Sequence, residues 1–545
     1  MLMRNTKITT EKLDHFGIVA ALIRKLKIIE RIDEALPLAA NKGSKVSHGE
    51  RVAAMIINGL GFTDKPLYLS PSFFTNKALQ ALFGRPFEAE WLNDDALGRT
   101  LDAIYRYGST LLFAQISCEL ASELNLIGRA TRLDSTSLVL YGDYEDNKQS
   151  DMDNVLKPAY GHSKAHRSDL KQVIMNLAMT GSANLPIWFQ SADGNVSDKG
   201  AFSAIVERIN AFQKGLKAFP TDRIFIADSA LYKKGVLSRS NWLWITRVPN
   251  TLAQSKKHQK QSYPEDAWEQ SALDGYRFQW VSPPKDTQNQ RWLLVQSNQQ
   301  NKDQEKTLEK RIQSAQNKLE TTVNRFIQQT FSCLEDAKRQ SQKLSATSTY
   351  HHIEWHYERI EKYAKKGRPS RNQPPDAIGF KVKPVSIQRD ESKIKPHRLA
   401  VGRFILATNE PNISADELLS SYKGQSKLEQ GFAFMKSDTF QLDHLFLKKP
   451  ERIDALMMVM TFCLLIYNYG QYELRQSLKA QNKTVPSQTK KATKKPTLRW
   501  VFKLMDGVEI AYSDGHYLGV INLNDVHMTI IQLFGAEAET IYQLR

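Results

Sequence analysis

From the N-terminus to about residue 128, apolar residues recur at three- and four-residue steps, as at Val52, Met55, Ile56 and Leu60, and that spacing predicts helices. Ser47 and Glu50, three residues apart ahead of this run, form a candidate capping box. A further helix is expected to begin after Asn93 and to run through residues 97–116. At Arg132 the period shortens: RLDSTSLVLYG is β-rich, and KQVIMNLAM, a polar TGSAN turn and LPIWFQSA predict an antiparallel hairpin. Phe202, Ile205, Val206, Ile209 and Phe212 then share one helical face. RIFIADSAL predicts a fourth strand and, after a short polar helix, NWLWITRVP a fifth. Three strands, helix, strand, helix, strand is an α/β succession, with Asp134 on the first strand and Asp228 near the end of the fourth.

About 150 residues then break the pattern. YRFQWVS and RWLLVQS alternate and predict paired strands, whereas Leu308, Ile312, Leu319, Val323, Phe326 and Phe331 predict a long charged helix or helical hairpin. GRPSRNQPP predicts a loop. RFILATN predicts a strand, and Ser414 with Glu417 caps the helix expected to carry a third acid. The resulting division is a helical domain at 1–128, a core in two pieces at 129–250 and 401–478, an insertion of strands plus a long helix at 251–400, and a basic linker with a C-terminal region at 479–545, for which dimerisation is one expectation.

A chain of 545 residues exceeds what one core sustains, and 41% hydrophobic against 24% charged residues is ordinary globular usage. Cys118, Cys333 and Cys463 have no paired spacing, which points to a reducing cytoplasm. No secretory signal is expected, and the longest apolar run, residues 455–467, reads as a core helix rather than a membrane span. Charge changes the picture more. Residues 301–400 hold 21 Lys/Arg against 12 Asp/Glu, and residues 479–499 hold seven Lys/Arg and no acid, so these two stretches supply 16 of the net +17. Such charge favours a phosphate backbone as partner, or, for the second stretch, a solvated linker.

Tyr422, Gln425, Glu429 and Lys436 lie three, four and seven residues apart, one stripe on a helix. Alone, that stripe is a solvated polar face. Asp134 sits among residues typical of a buried strand, and Asp228 follows the apolar run Ile224, Phe225, Ile226, Ala227. A carboxylate on such an element is costly unless paired, and a divalent cation offsets that cost. A hydrogen-bonded strand-end Asp is the plainer alternative. Two aspartates and a glutamate suit Mg²⁺, which prefers oxygen ligands, and a pair of such ions can serve both oxygens of an in-line displacement at phosphorus.

RLDSTSL, FIADSALY and YKGQSKLEQGFAFMK resemble the three acidic motifs of bacterial insertion-sequence transposases of the DDE class, particularly the IS-four group with its large insertion before the final Glu. GHSKAHRSDLKQ, GNVSD and LNDDALGRTLD also resemble that group, so most of residues 90–470 is covered. The resemblance implies an α/β, RNase H-like mixed-sheet catalytic core flanked by a helical N-terminal domain and a large mixed insertion domain. It implies Asp134, Asp228 and Glu429 as catalytic metal ligands, with two Mg²⁺ ions replaceable by Mn²⁺. It implies double-stranded DNA as partner, both terminal inverted repeats and target, bound by a homodimer. Tyr422, Glu429 and Lys436 match the group's motif, while its Arg position is Gln425, which lacks the charge and fork of a guanidinium. Tyr422, Gln425 and Lys436 would contact DNA phosphates, helped by Lys423 and Lys427, and Lys164 and Arg167 in the GHSKAHRSDLKQ motif would join them. Ala165 stands where the group often has an acid, and His162 and His166 are expected near DNA or on the surface rather than on metal. The implied reaction is hydrolysis of a strand at each element end, then attack of the freed 3′-hydroxyl on target DNA. Two other readings stay open: a catalytically silent DNA-binding descendant, and a nuclease that cuts without joining. Trp280 and Trp292 are expected to pack in the insertion's core, with base stacking as the alternative.

Overall fold

The computed structural model describes residues 7–38, 43–62, 70–140, 155–161, 167, 169–196, 198–214, 219–233, 237, 240–285, 287, 289–363, 374–436 and 449–543. Chain contacts divide it into two compact units: Met1–Val236, Ser240–Trp244 and Ser421–Arg545 form the first, Leu237–Arg239 and Ile245–Ser420 the second.

In the first unit the expected capping box forms, with Ser47 Oγ accepting from the Glu50 amide at 3.0 Å and the Glu50 carboxylate from the Ser47 amide at 2.8 Å. Asn93 caps Asp94–Tyr107 as expected, but the helix does not run on through residue 116. Gly108, at φ 103°, breaks it, and Ser109–Glu123 follows as a separate helix. The first core strands are β1 (Ala130–Val139), β2 (Gln172–Thr180), β3 (Leu185–Asp193) and β4 (Ile224–Ala227). Strands β1, β2 and β3 form an antiparallel meander, with Gly181 and Asn184 at positive φ in the predicted TGSAN turn. Strand β4 adds to the other side of β1 in parallel, so the spatial order is β3-β2-β1-β4 and the sheet is mixed. The crossover into β4 contains the helix Asp198–Gln213, whose Phe202, Ile205, Val206 and Ile209 are buried as their spacing requires.

Two helices complete this core: α1 (Ser426–Met435), which packs on β1, and α2 (Pro450–Ala480), which packs on β3 and on the N-terminal helices. Helix α2 is long and apolar enough to cross a membrane, yet 83% of its most apolar window is buried inside the protein. Met457, Phe462, Leu464 and Ile466 are fully enclosed, and burial of such side chains contributes about 1.5–3 kcal/mol each.

The C-terminal region is tied to the N-terminal one rather than trailing from it. Ile8–Lys12 pairs antiparallel with Glu509–Ser513, which pairs in turn with His516–Ile521. Tyr542 is fully buried and donates its hydroxyl to the Asp14 carbonyl. A Cβ at Gly17 would meet the Tyr542 ring at 2.6 Å, so that approach requires glycine.

In the second unit Tyr276–Val281 and Arg291–Ser297 pair antiparallel as their alternation predicts, and Arg291–Ser297 pairs with Arg403–Thr408. The 302–345 stretch resolves into two helices, Asn298–Phe326 and Leu334–Thr347, with Leu308, Ile312, Leu319 and Val323 buried. A long antiparallel ribbon, His351–Lys362 with Ala377–Arg389, has no counterpart among the predicted elements. Its reason is plain: solvent reaches both faces of most of the ribbon, so only Ile353, Val382 and a few neighbours bury apolar surface and the polar-apolar alternation is lost. Most of the predicted GRPSRNQPP loop lies outside the described residues.

Candidate active site

Asp134 lies within β1, half-buried, and its Oδ1 accepts the Ser135 amide at 2.8 Å. Asp228 is the first residue past β4, exposed, with Oδ1 accepting the Ala230 amide at 2.9 Å. The parallel register aligns Ala130 with Ile224, Thr131 with Phe225 and Arg132 with Ile226. Asp134 and Asp228 each lie two residues beyond the last of these pairs, Asp134 still within β1 and Asp228 just past the end of β4. Carboxylates held close repel one another, and a shared cation relieves that repulsion.

Sheet alternation puts Arg132 on the same face as Asp134. That face is the one approached by the turn ahead of α1: a Cβ at Gly424 would sit 2.5 Å from a guanidinium nitrogen of Arg132, so a larger residue there would make the guanidinium shift. Gln425 is buried, and its Nε2 donates to the Leu133 carbonyl at 2.6 Å, anchoring the helix one residue from Asp134. Glu429 follows one helical turn later, its amide bonded to the Gln425 carbonyl at 3.4 Å, and its side chain is exposed.

The stripe expected on one helix is thus divided. Tyr422 and Lys423 end the helix Ala415–Lys423, the chain turns at Gly424 and Gln425, and Glu429 belongs to α1, with Lys436 at its C-cap. Tyr422, Lys423 and Lys436 are each half-buried and engaged in interactions within the protein. Arg167 is exposed and forms a two-point pair with Asp169, whose carboxyl it holds below the usual range. Lys164, His162, Ala165 and His166 lie outside the described residues, as does the Lys427 side chain.

Asp134 and Asp228 thus lie at matching steps past the last paired position of β1 and β4, and Gln425 ties the start of the helix of Glu429 to β1. Among the described residues, no group of three or more His, Cys, Asp or Glu side chains is arranged to hold a metal ion. The two aspartates carry the hard oxygen donors a divalent cation takes, and Glu429 is not grouped with them as a third ligand among the described residues. Two functional candidates were not evident as such from the sequence: Arg132, signalled only by its two-residue offset from Asp134, and Gln425 as an anchor. Trp292 is fully buried, which removes it as a base-stacking platform, whereas Trp280 is partly exposed with the Arg291 guanidinium 3.9 Å from its ring centre.

The family model described as "Transposase DDE domain" matches residues 128–466, and a domain of unknown function (DUF4277) matches residues 8–118. Among solved structures, the cryo-EM structure of a piggyBac transposase synaptic complex with hairpin DNA is similar over 92% of this chain and 82% of that one, with 8% identity and a TM-score of 0.37, a likeness too slight to carry an argument. No curated protein matches.

Proposed function

The chain belongs to the transposase DDE domain family, and we propose that it cuts DNA at the ends of an insertion sequence and joins the freed ends to target DNA. The observation that supports this most is the parallel pairing of β1 with β4, which carries Asp134 within one strand and Asp228 just past the end of the other, beside a helix whose Gln425 is bonded to the Leu133 carbonyl. A mixed sheet of this order, with an acid on its first strand and another at the end of the parallel neighbour, is the scaffold expected of an RNase H-like core.

Asp134, Asp228 and Glu429 would hold divalent ions, Mg²⁺ or Mn²⁺, which supply charge neutralisation and a deprotonated nucleophile for in-line displacement at phosphorus. The protein's own part is positioning. The strands hold the two aspartates at fixed separation, and Gln425 sets how far α1 reaches over them. The turn at Gly424 allows Glu429 to move toward the aspartates when substrate and cation are bound, because α1 need only pivot about its anchored first turn. Tyr422, Lys423 and Lys436 would orient the substrate backbone, and a homodimer would bring two element ends together in the cytoplasm.

The test is cleavage and strand transfer on duplexes taken from the DNA flanking the gene, with Mg²⁺ or Mn²⁺. Asp134→Asn, Asp228→Asn and Glu429→Gln should each lower cleavage at least about 10³-fold while leaving DNA binding intact, in keeping with loss of a metal-centred electrostatic contribution. Cleavage surviving in one variant removes that residue from the site. Cutting without joining would identify a nuclease, and binding without cutting a silent descendant.

A further inference from the structure

The first unit uses its buried arginines in a uniform way. Arg452 is held by both oxygens of Asp102 at 2.7 and 2.8 Å, Arg24 donates to the carbonyls of Ala81 and Leu82, and Arg51 reaches Ser44 and Thr100. Arg51 and Arg223 each leave one buried nitrogen unmatched, but each donates through another, Arg223 to the Asn210 side-chain oxygen at 3.1 Å.

Arg132 departs from this pattern in having no such donation: its Nε is buried without a partner, and the side chain forms neither a hydrogen bond nor an ion pair among the described residues. Burial lowers its pKa, and no neighbouring carboxylate offsets that cost. A mostly buried cation without a counter-charge is expensive, and such a group persists where something from outside completes it. Its position says what that is. The guanidinium rests against Gly424, on the sheet face that carries Asp134, and a side chain larger than hydrogen at residue 424 would displace it. The other candidates there are committed: the Gln425 amide nitrogen is spent on the Leu133 carbonyl, and Arg167 is paired with Asp169.

We propose that Arg132 is a phosphate ligand of this site, its guanidinium receiving a backbone phosphate of the DNA strand laid across Asp134 and Asp228. The assignment rests on the reading of DNA as substrate. A planar fork of N–H donors matches two phosphate oxygens at once, and the anion supplies the charge that the protein leaves out. It also places a fixed positive group beside two carboxylates that would otherwise repel the strand they are to cut.

Arg132→Gln and Arg132→Lys, compared with the unaltered full chain, test this on duplexes from the DNA flanking the gene in which each phosphate near the cut is replaced in turn by a neutral methylphosphonate. The unaltered chain should lose about tenfold in cleavage at one position, as removal of one charge-assisted contact implies. Arg132→Gln should start about tenfold lower and lose nothing more at that position, and Arg132→Lys should recover part of the loss. The melting temperature of Arg132→Gln should equal or exceed that of the unaltered chain, since an uncompensated charge has gone; a purely structural arginine would lower it. The slope of log K against log salt should also become shallower by about 0.9, one phosphate contact. Equal cleavage with and without Arg132, or the same loss at every methylphosphonate in both proteins, overturns the assignment. If the unaltered chain binds DNA without cutting, the transposase reading fails and the salt slope alone decides on Arg132; a chain that binds no DNA overturns both.

Discussion

Two stretches supply nearly all of the net positive charge, and the structure uses them in opposite ways. In residues 301–400, within the second unit, seven of the cations form ion pairs among the described residues. Arg398 meets Glu305, Glu309 and Glu391 at 3.1, 3.3 and 3.1 Å, Arg389 meets Glu309 at 2.9 Å, and Lys383 meets Glu358 at 2.6 Å. In residues 479–499, within the first unit, there is no acid, and Lys479, Lys490, Lys491, Lys494 and Lys495 are all exposed. None of these five forms an ion pair among the described residues, and Lys494 bonds only the amide oxygen of Asn482. The stretch is not a loose linker: Val485–Pro486 pairs with Ala492–Thr493, and Lys490, at φ 60°, sits in the turn between them. Part of the positive charge of residues 301–400 holds the second unit's own elements to one another, through acids that residues 479–499 lack. Five exposed lysines without an ion pair, four of them on or beside an ordered hairpin, are available to a partner.

The comparison breaks most readily where the charge is unpaired. Replacing Lys490, Lys491, Lys494 and Lys495 by Gln should make the slope of log K against log salt shallower by about 3.6, at about 0.9 per phosphate neutralised, and weaken DNA binding about 10²- to 10³-fold near physiological salt. The fold should be unaffected, because these side chains touch little. A filter-binding series across salt concentrations reads this directly. A slope unchanged to within one would return the hairpin to the status of a solvated surface.

How legible this was in the sequence follows from what each feature depends on. Strands β1, β2 and β3, the hairpin turn and the core helix α2 were legible because burial on a fixed face imposes a period, as at Val173, Met175 and Leu177 or at Phe202, Ile205 and Ile209. Asp134 and Asp228 stood out as acids attached to apolar strands. Their matching steps past the last β1–β4 pair did not, because a parallel register is set by the crossover between the strands, not by either strand alone. The ribbon of His351–Lys362 went unread because both its faces are wet, and the break at Gly424 because a turn between two helical segments leaves the three- and four-residue spacing nearly intact. Arg132 carried no signal of its own: its interest comes from partners it lacks, and only coordinates reveal those.

Arg398 offers the reverse test in the second unit. Arg398→Gln removes a centre shared by three carboxylates, and exposure of about two-fifths of the side chain weakens each pair, so the loss should total about 1 kcal/mol in urea unfolding. The salt slope for DNA should not change. If it falls by a full contact, the ion-paired region is also in reach of phosphate and the contrast between the two stretches disappears.

The finest test separates the hairpin's charge from its shape. Trp500 Nε1 donates to the Pro486 carbonyl at 2.7 Å, tying the hairpin to the helix Leu498–Leu504. Trp500→Phe keeps a ring and removes that donor, at a cost of about 0.5–1.5 kcal/mol to the folded state. Counterion release depends chiefly on how many cations reach the backbone, so every lysine still counts in a loosened hairpin, and the salt slope should change by less than one. Affinity should fall only a few-fold, from the added cost of ordering the segment on DNA. A loss of slope as large as that of the four-lysine variant would mean that the hairpin holds phosphates in a fixed register, and the lesson drawn from the two stretches would then concern geometry rather than unpaired charge.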